Sequence, residues 1–298
     1  MKLIYSDDYD LHLGNHVFPS IKYRLIKEKV LRDGIAKPED IIEPPAAADD
    51  EVALVHHRDY IRKLQTGKLS YLEILRLEIP YSPELIRAVW LSAGGSILAG
   101  RLALQDRTCV NIGGGFHHAY PDHGEGFCVL NDVAIAIRSL QKDKTIERAM
   151  VVDVDVHQGN GTAAIFAGDS SVFTLSLHQA SNYPYPKPPS SLDINLADGI
   201  GDEEYLTELE RGLDESLAEF RPQLIVYVAG ADPYREDQLG GLKLTLEGLE
   251  KRDRLVFEKA STRNIPVAVT LAGGYARHVE DTVTIHTNTI RVAKEFAA

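Results

Sequence analysis

Two rhythms alternate along this chain. Short runs of β-branched and other apolar residues read as strands: Lys2 to Tyr5, Cys109 to Ile112, Met150 to Val156, Val172 to Leu177, Leu224 to Val228 and Val267 to Leu271. Between them lie longer stretches whose apolar residues recur every three or four positions. These predict helices at Ile21 to Arg32, from Ser82 through Trp90 toward Leu104, at Val129 to Leu140, Glu203 to Phe220, Leu246 to Thr262 and Val279 to Phe296, with a short one at Thr162 to Phe166. The start at Ser82 is chemically explicit: Ser82 can accept a bond from a first-turn amide, Pro83 has no amide hydrogen to lose, and Glu84 suits the positive end of the helix. Strands that alternate with helices predict an α/β fold, a mostly parallel β-sheet with helices on both faces. No linker or low-complexity run divides the chain, so one domain is expected over residues 1–298.

One stretch breaks the apolar rule. Ala149 to Gly161 reads A-M-V-V-D-V-D-V-H-Q-G-N-G, in which Met150, Val151, Val152, Val154 and Val156 supply a strand while Asp153, Asp155 and His157 share one face at period two. Ionised carboxylates on a strand buried on both sides cost on the order of several kcal/mol each unless they are paired or bind a cation. A metal ion explains all three at once. Gly159 and Gly161 are expected to turn the backbone sharply after His157, so that these side chains converge.

In open parallel sheets, ligands bind beyond the carboxyl ends of the strands. Four strands here run into glycine-bearing loops with polar cargo: His117 and His118 after Ile112, Asp155 and His157 in the central stretch, Asp232 after Val228, and Tyr275 after Leu271. All four loops should meet along one sheet edge. Asp155, His157 and Asp232 offer two carboxylates and one imidazole and leave a coordination position open, the pattern of a catalytic metal site. Zn2+ is the default ion, and Fe2+ or Co2+ accepts the same ligands. Adjacent histidines can serve as base and acid, each needing a partner that sets its tautomer; Asp153 and Asn160 are the candidates. Tyr275 can donate its hydroxyl to a developing oxyanion. These residues together point to metal-assisted hydrolysis of an amide.

Charge and composition narrow the partners. A net charge of -12 leaves no electrostatic footprint for a nucleic-acid backbone, so no direct nucleic-acid binding is expected. Cys109 and Cys128 form no C-x-x-C pair and read as packing residues in a reducing compartment. The chain opens on a strand and no apolar run is long enough for a membrane span, which predicts a cytoplasmic protein without a membrane partner. His12 and His16 have the spacing of a helical metal pair, but Gly14 and Pro19 argue for a loop. His56 and His57 have no evident partner. Asn182 to Pro189, with four prolines and two tyrosines, is placed to form a pocket wall.

In chain order, G-G-G-F-H-H-A (113–119), G-F-C-V-L-N-D (126–132), D-V-D-V-H-Q-G-N-G (153–161), S-L-H (176–178), A-G-A-D-P (229–233) with D-Q-L-G-G-L (237–242), and A-G-G-Y (272–275) resemble the zinc-dependent histone deacetylase family. The H-Q-G-N-G string and the L-G-G-L segment look most like the class IV branch and its bacterial relatives. The resemblance implies the arginase/deacetylase fold, with Zn2+ held by Asp155, His157 and Asp232. It implies His118 as general base and then acid, His117 as its electrostatic partner and Tyr275 as oxyanion donor. A tunnel is implied too, walled by Phe127, Leu239 and either Tyr183 or Tyr185, with Gly115 and Gly273 also lining it. A structural K+ would be held by Asp153, Asp155, His157, Ser176 and Leu177, largely through backbone carbonyls, and Arg24 would match the arginine at the tunnel's foot. Class I members place a second Asp against the catalytic histidine, whereas this chain has Asn160, which predicts a lower pKa for His118.

The activity so implied is removal of acyl groups, acetyl or longer, from N-acyl-lysine of proteins or peptides. Class IV relatives are linked to long-chain acyl removal, which needs a tunnel floored by small residues. Within the same chemistry the rival substrate is a small acetylated amine such as an acetylpolyamine, disfavoured by the lack of a long insertion to narrow the tunnel. A non-catalytic acyl-lysine binding module would require a broken site, and every catalytic position is filled. A two-metal ureohydrolase would need further carboxylates near the central motif.

Overall fold

β-Branched and apolar residues that can bury both faces form the sheet. In the computed structural model, which describes residues 1–298, eight strands are present: β1 (Leu3–Ile4), β2 (Ile41–Ile42), β3 (Thr108–Asn111), β4 (Ala149–Asp153), β5 (Val172–Gln179), β6 (Leu192–Leu196), β7 (Leu224–Val228) and β8 (Val267–Thr270). All pair in parallel in one sheet of order β2-β1-β3-β8-β7-β4-β5-β6. Parallel neighbours require crossovers, and helices supply them on both faces. Helix Pro83–Asp106 packs with Asp132–Lys142, while Ile21–Arg32, Val279–Glu295, Leu246–Ser261 and Asp202–Glu219 neighbour one another in series. Ser82 caps its helix as expected, accepting from the Leu85 amide. Met150, Val151, Val152, Ile225 and Val226 in the central strands are all but inaccessible, and each such side chain contributes roughly 1.5–3 kcal/mol by leaving water.

The sheet order places β3, β8, β7 and β4 side by side. Because all run the same way, the loops that leave them emerge along one edge, about 4.8 Å apart from strand to strand. This is the fold's contribution to chemistry.

The structure departs from expectation in several elements. β4 ends at Asp153, so Asp155 and His157 lie in the loop beyond the strand, although Asp153 and Asp155 both still reach the His117 ring, at 2.6 and 3.8 Å. Beyond the strand the Val154 amide still donates to the Val228 carbonyl, and the Val156 carbonyl accepts from the Gln179 amide of β5. Gly159 has φ −72°, so it is no left-handed turn. It is needed because a Cβ there would sit 2.4 Å from Asp153 Oδ2. β6 and β2 lie at the two margins of the sheet: L-D-I-N-L of β6 alternates but is only partly buried, and β2 is a two-residue pairing too short to signal itself. Helix Tyr71–Leu77 escaped notice because its apolar side chains Tyr71, Leu72 and Leu75 face solvent. A capping box between Ser70 and Glu73 starts it instead. No helix is long and apolar enough to cross a membrane.

Candidate active site

The β3 exit loop is pinned from below. Asp132, buried at the start of its helix, accepts from the amides of Gly115 (3.1 Å) and Phe116 (2.8 Å) and from the Ser96 hydroxyl (2.5 Å). Asn131 caps the same helix through the Ala134 amide, and its Nδ2 reaches the carbonyls of His117 and Ala119. His56 in turn accepts from the Asn131 amide at 2.9 Å, which gives that histidine a positioning task. Gly115 has φ +84°, and a Cβ on it would strike Ala272 of the β8 exit loop. The close approach of those two loops brings His117 and His118 to the metal-type cluster.

His117 Nδ1 lies 2.6 Å from Asp153 Oδ2, and His118 Nδ1 lies 2.7 Å from Asn160 Oδ1. Both rings are buried. Burial alone would lower the pKa of His117, but the carboxylates of Asp153 and Asp155 outweigh it and raise the value to about 9. For His118, burial, then the nearby charges of His117 and His157, push the value well below the ordinary one, and the Asn160 bond offsets little of this.

Asp155, His157 and Asp232 bring one ligand atom each within 4.8 Å of one another, all buried. Asp155 is held by the amides of His157 and Gly273, and Asp232 Oδ1 by the Val156 amide. Asp232 Oδ2 is buried without a hydrogen-bond partner, 3.4 Å from His157 Nδ1. Burial would lower the pKa of His157, yet the adjacent carboxylates of Asp155 and Asp232 raise it to about 10. The pocket thus attracts positive charge, and an orphaned carboxylate oxygen beside an imidazole nitrogen fits a cation. Behind the loop that carries Asp232, buried Arg252 donates to the Gly230 carbonyl (2.5 Å) and pairs with Asp253 (2.7 Å).

Tyr275 is buried beside Phe127 and Phe18. Its amide donates to Asp237 Oδ2 at 2.7 Å, and Asp237 also accepts from the amides of Leu239 and Gly240, so one carboxylate ties the β7 and β8 exit loops together. Burial, then the charges of Asp155 and Asp232, raise the Tyr275 pKa well above its usual value, so the hydroxyl keeps its proton. A cavity of about 280 Å³ opens onto His118, His157 and Tyr275 between Phe127, Tyr183 and Leu239.

Residues 16–290 match the family described as the histone deacetylase domain. The chain belongs to the histone deacetylase family. It is 38% identical over 294 residues to an uncharacterised protein of Picosynechococcus, covering 98% of each chain. It is 31% identical to Histone deacetylase 2 of Arabidopsis thaliana, covering 95% of this chain and 78% of that one. Among solved structures, the HDA15 HD domain superposes with a TM-score of 0.84 at 23% identity, over 98% of this chain and 88% of that one, a likeness of fold. The family identifies the sheet as the arginase/deacetylase fold.

Within this histone deacetylase fold, some expected residues fall elsewhere. Tyr185 is 70% exposed, its hydroxyl bonded to the Ser181 carbonyl, and it does not line the cavity; Tyr183 does. Gly115 and Gly273 lie lower, around a small cavity beneath His117, His118 and Tyr275. Arg24 is an outer residue paired with Asp10 and Glu28. The cation this helix turns inward is Lys22, two positions earlier and fully buried, donating to the Ala272 carbonyl at 2.6 Å. Burial lowers its pKa to about 8 against the pull of Asp232 and Asp155. A helix turns through 100° per residue, so a two-residue slip exchanges the inner face for the outer one. His12 and His16 lie in a loop: His12 is exposed, and His16 bonds the Glu78 carbonyl and packs on Phe127. Ser176 stands opposite Asp153 in the β4/β5 register, with Leu177 next to it. Cys109 and Cys128 are buried and free.

Proposed function

We propose that this member of the family is a zinc-dependent deacylase that removes acetyl groups from N-acyl-lysine of peptides or proteins. The observation that carries the reading is the single cavity shared by His118, His157 and Tyr275 at its floor and Phe127, Tyr183 and Leu239 on its walls. Apolar walls suit the methylene stem of a lysine, and a polar floor suits its amide. Two carboxylates and an imidazole suit Zn2+, which when bound polarises a carbonyl and acidifies water. Neutral His118 takes a proton from the attacking water at Nε2 and returns it to the departing lysine amine. His117, kept cationic by Asp153, offsets negative charge gathering on the substrate. Tyr275 donates its hydroxyl to the carbonyl oxygen as that charge builds. Asp153 opposite Ser176 at the end of the β4/β5 register supports a structural K+ held by Asp153, Asp155, His157, Ser176 and Leu177.

Acyl length is argued from room. Beneath His118 and Tyr275 the small cavity bounded by Phe18, Phe127, Cys128 and Gly273 holds about 20 Å³, space for about one water. A methyl group is accommodated, whereas a long chain would have to displace the rings of Phe18 and Phe127. Glu78 at the cavity mouth favours the second substrate reading, an acetylated polyamine whose far ammonium it would pair with.

The test is hydrolysis of peptides bearing acetyl, butyryl, octanoyl and myristoyl lysine, beside an acetylated polyamine, by intact and chelated protein. Chelator-sensitive turnover that is fastest on acetyl-lysine is expected. No turnover of any member by protein with its metal bound would overturn the proposal.

A further inference from the structure

We propose that Glu125 is a positioning residue that dictates which end of the Asn160 amide faces His118, and so which imidazole nitrogen carries the hydrogen. The inference rests on the deacetylase reading and adds to it a residue outside the ligand and acid-base set. Asn160 differs from an Asp in that its two ends are not equivalent: Oδ1 only accepts and Nδ2 only donates. The amide lies between two partners, His118 Nδ1 at 2.7 Å from Oδ1 and Glu125 Oε1 at 2.6 Å from Nδ2.

Two arrangements of this chain of groups are self-consistent. In one, His118 Nδ1–H donates to Oδ1 while Nδ2 donates outward, which leaves Nε2 with the lone pair that proton abstraction needs. In the other the amide is reversed, Nδ2 donates to a bare Nδ1, and Nε2 carries the hydrogen and cannot act as base. The outer partner selects between them. A carboxylate accepts and cannot donate, so an amide oxygen turned toward Glu125 would place two negative oxygens at hydrogen-bond distance.

Glu125 is held ready for this task. Its side chain is 18% exposed. The Tyr183 hydroxyl donates to the same Oε1 at 2.5 Å, and His123 Nε2 stands 3.4 Å from Oε2, itself stacked on Tyr120 with ring centroids 4.7 Å apart. Burial works against the charge of Glu125, but hydrogen bonds from His123, Tyr183 and Asn160 outweigh it and keep the carboxyl below its usual range. An Asp at position 160 would need no such director, since either of its oxygens accepts. The Glu125 carboxylate is therefore the counterpart of having an amide there.

The test uses zinc-loaded protein with 15N-labelled histidine. Glu125→Gln is nearly isosteric and preserves hydrogen bonding, but its amide can present either an acceptor or a donor to Asn160. In the unaltered protein the His118 spectrum should show hydrogen on Nδ1 alone; in Glu125→Gln it should show both tautomers. Turnover of an acetyl-lysine peptide should fall between about twofold and tenfold in kcat with KM little changed, as the competent tautomer loses its enforced preference. In an Asn160→Asp background the sign should reverse, because Glu125→Gln then relieves a clash of two carboxylates. An unchanged His118 spectrum in Glu125→Gln would overturn the proposal, as would an equal loss in both backgrounds, the mark of a merely structural anchor. If the unaltered protein turns over no acyl peptide, the deacetylase reading fails while the nitrogen spectrum still decides the role of Glu125.

Discussion

His117 and His118 are chain neighbours whose rings lie 4.1 Å apart, yet their surroundings have opposite electrical character. His117 faces the strand end, where Asp153 and Asp155 hold a positive charge on it. His118 faces the tunnel, where an amide replaces the carboxylate and two positive neighbours resist its protonation. The comparison teaches that identical side chains acquire different tasks from their hydrogen-bond partners and the charges around them: one becomes a fixed cation and the other a vacant base.

The bluntest way to break this division is to remove the base. His118→Gln should lower kcat by about 10²–10⁴, the usual contribution of a positioned general acid-base group. Tyr275→Phe should cost somewhat less, about 10²–10³ in kcat, as expected for one oxyanion donor, with peptide KM little changed. Both are read from steady-state turnover of an acetyl-lysine peptide. Asp153→Asn addresses the other ring. Without that carboxylate, His117 becomes neutral near pH 7, and kcat/KM should fall by about tenfold as one compensating charge leaves the site. The smallest effect is a shift of profile. His118 works as a base only when neutral, so activity is lost as pH falls through its pKa. Asn160→Asp combined with Glu125→Gln raises that pKa, and the acidic limb of kcat/KM should move to higher pH by about one unit. Limbs that stay in place would remove Asn160 from the account.

Much of the site was legible in sequence because its signals are local. β-Branched runs ending in glycine-bearing loops mark the strand ends, and a parallel sheet collects such ends on one edge whatever the order of its strands. The residues that escaped notice depend on distant parts of the chain. Glu125 matters because Asn160, from another loop, lies against it. Asp237 matters because it grips the Tyr275 amide. Lys22 and Arg24 share a helix and a charge, and only the packed neighbour, the Ala272 carbonyl, tells which of them points inward. Likewise Tyr183 and Tyr185 are interchangeable in a Pro-rich string until the Glu125 carboxylate claims the first.

The central claim is that Asp155, His157 and Asp232 hold one catalytic ion beside a neutral His118. It is tested most directly by titrating Zn2+ into chelated protein while following hydrolysis of an acetyl-lysine peptide. The account predicts negligible turnover without metal and a linear rise that breaks at one equivalent per chain. Full activity without metal, or a break at two equivalents, would contradict it.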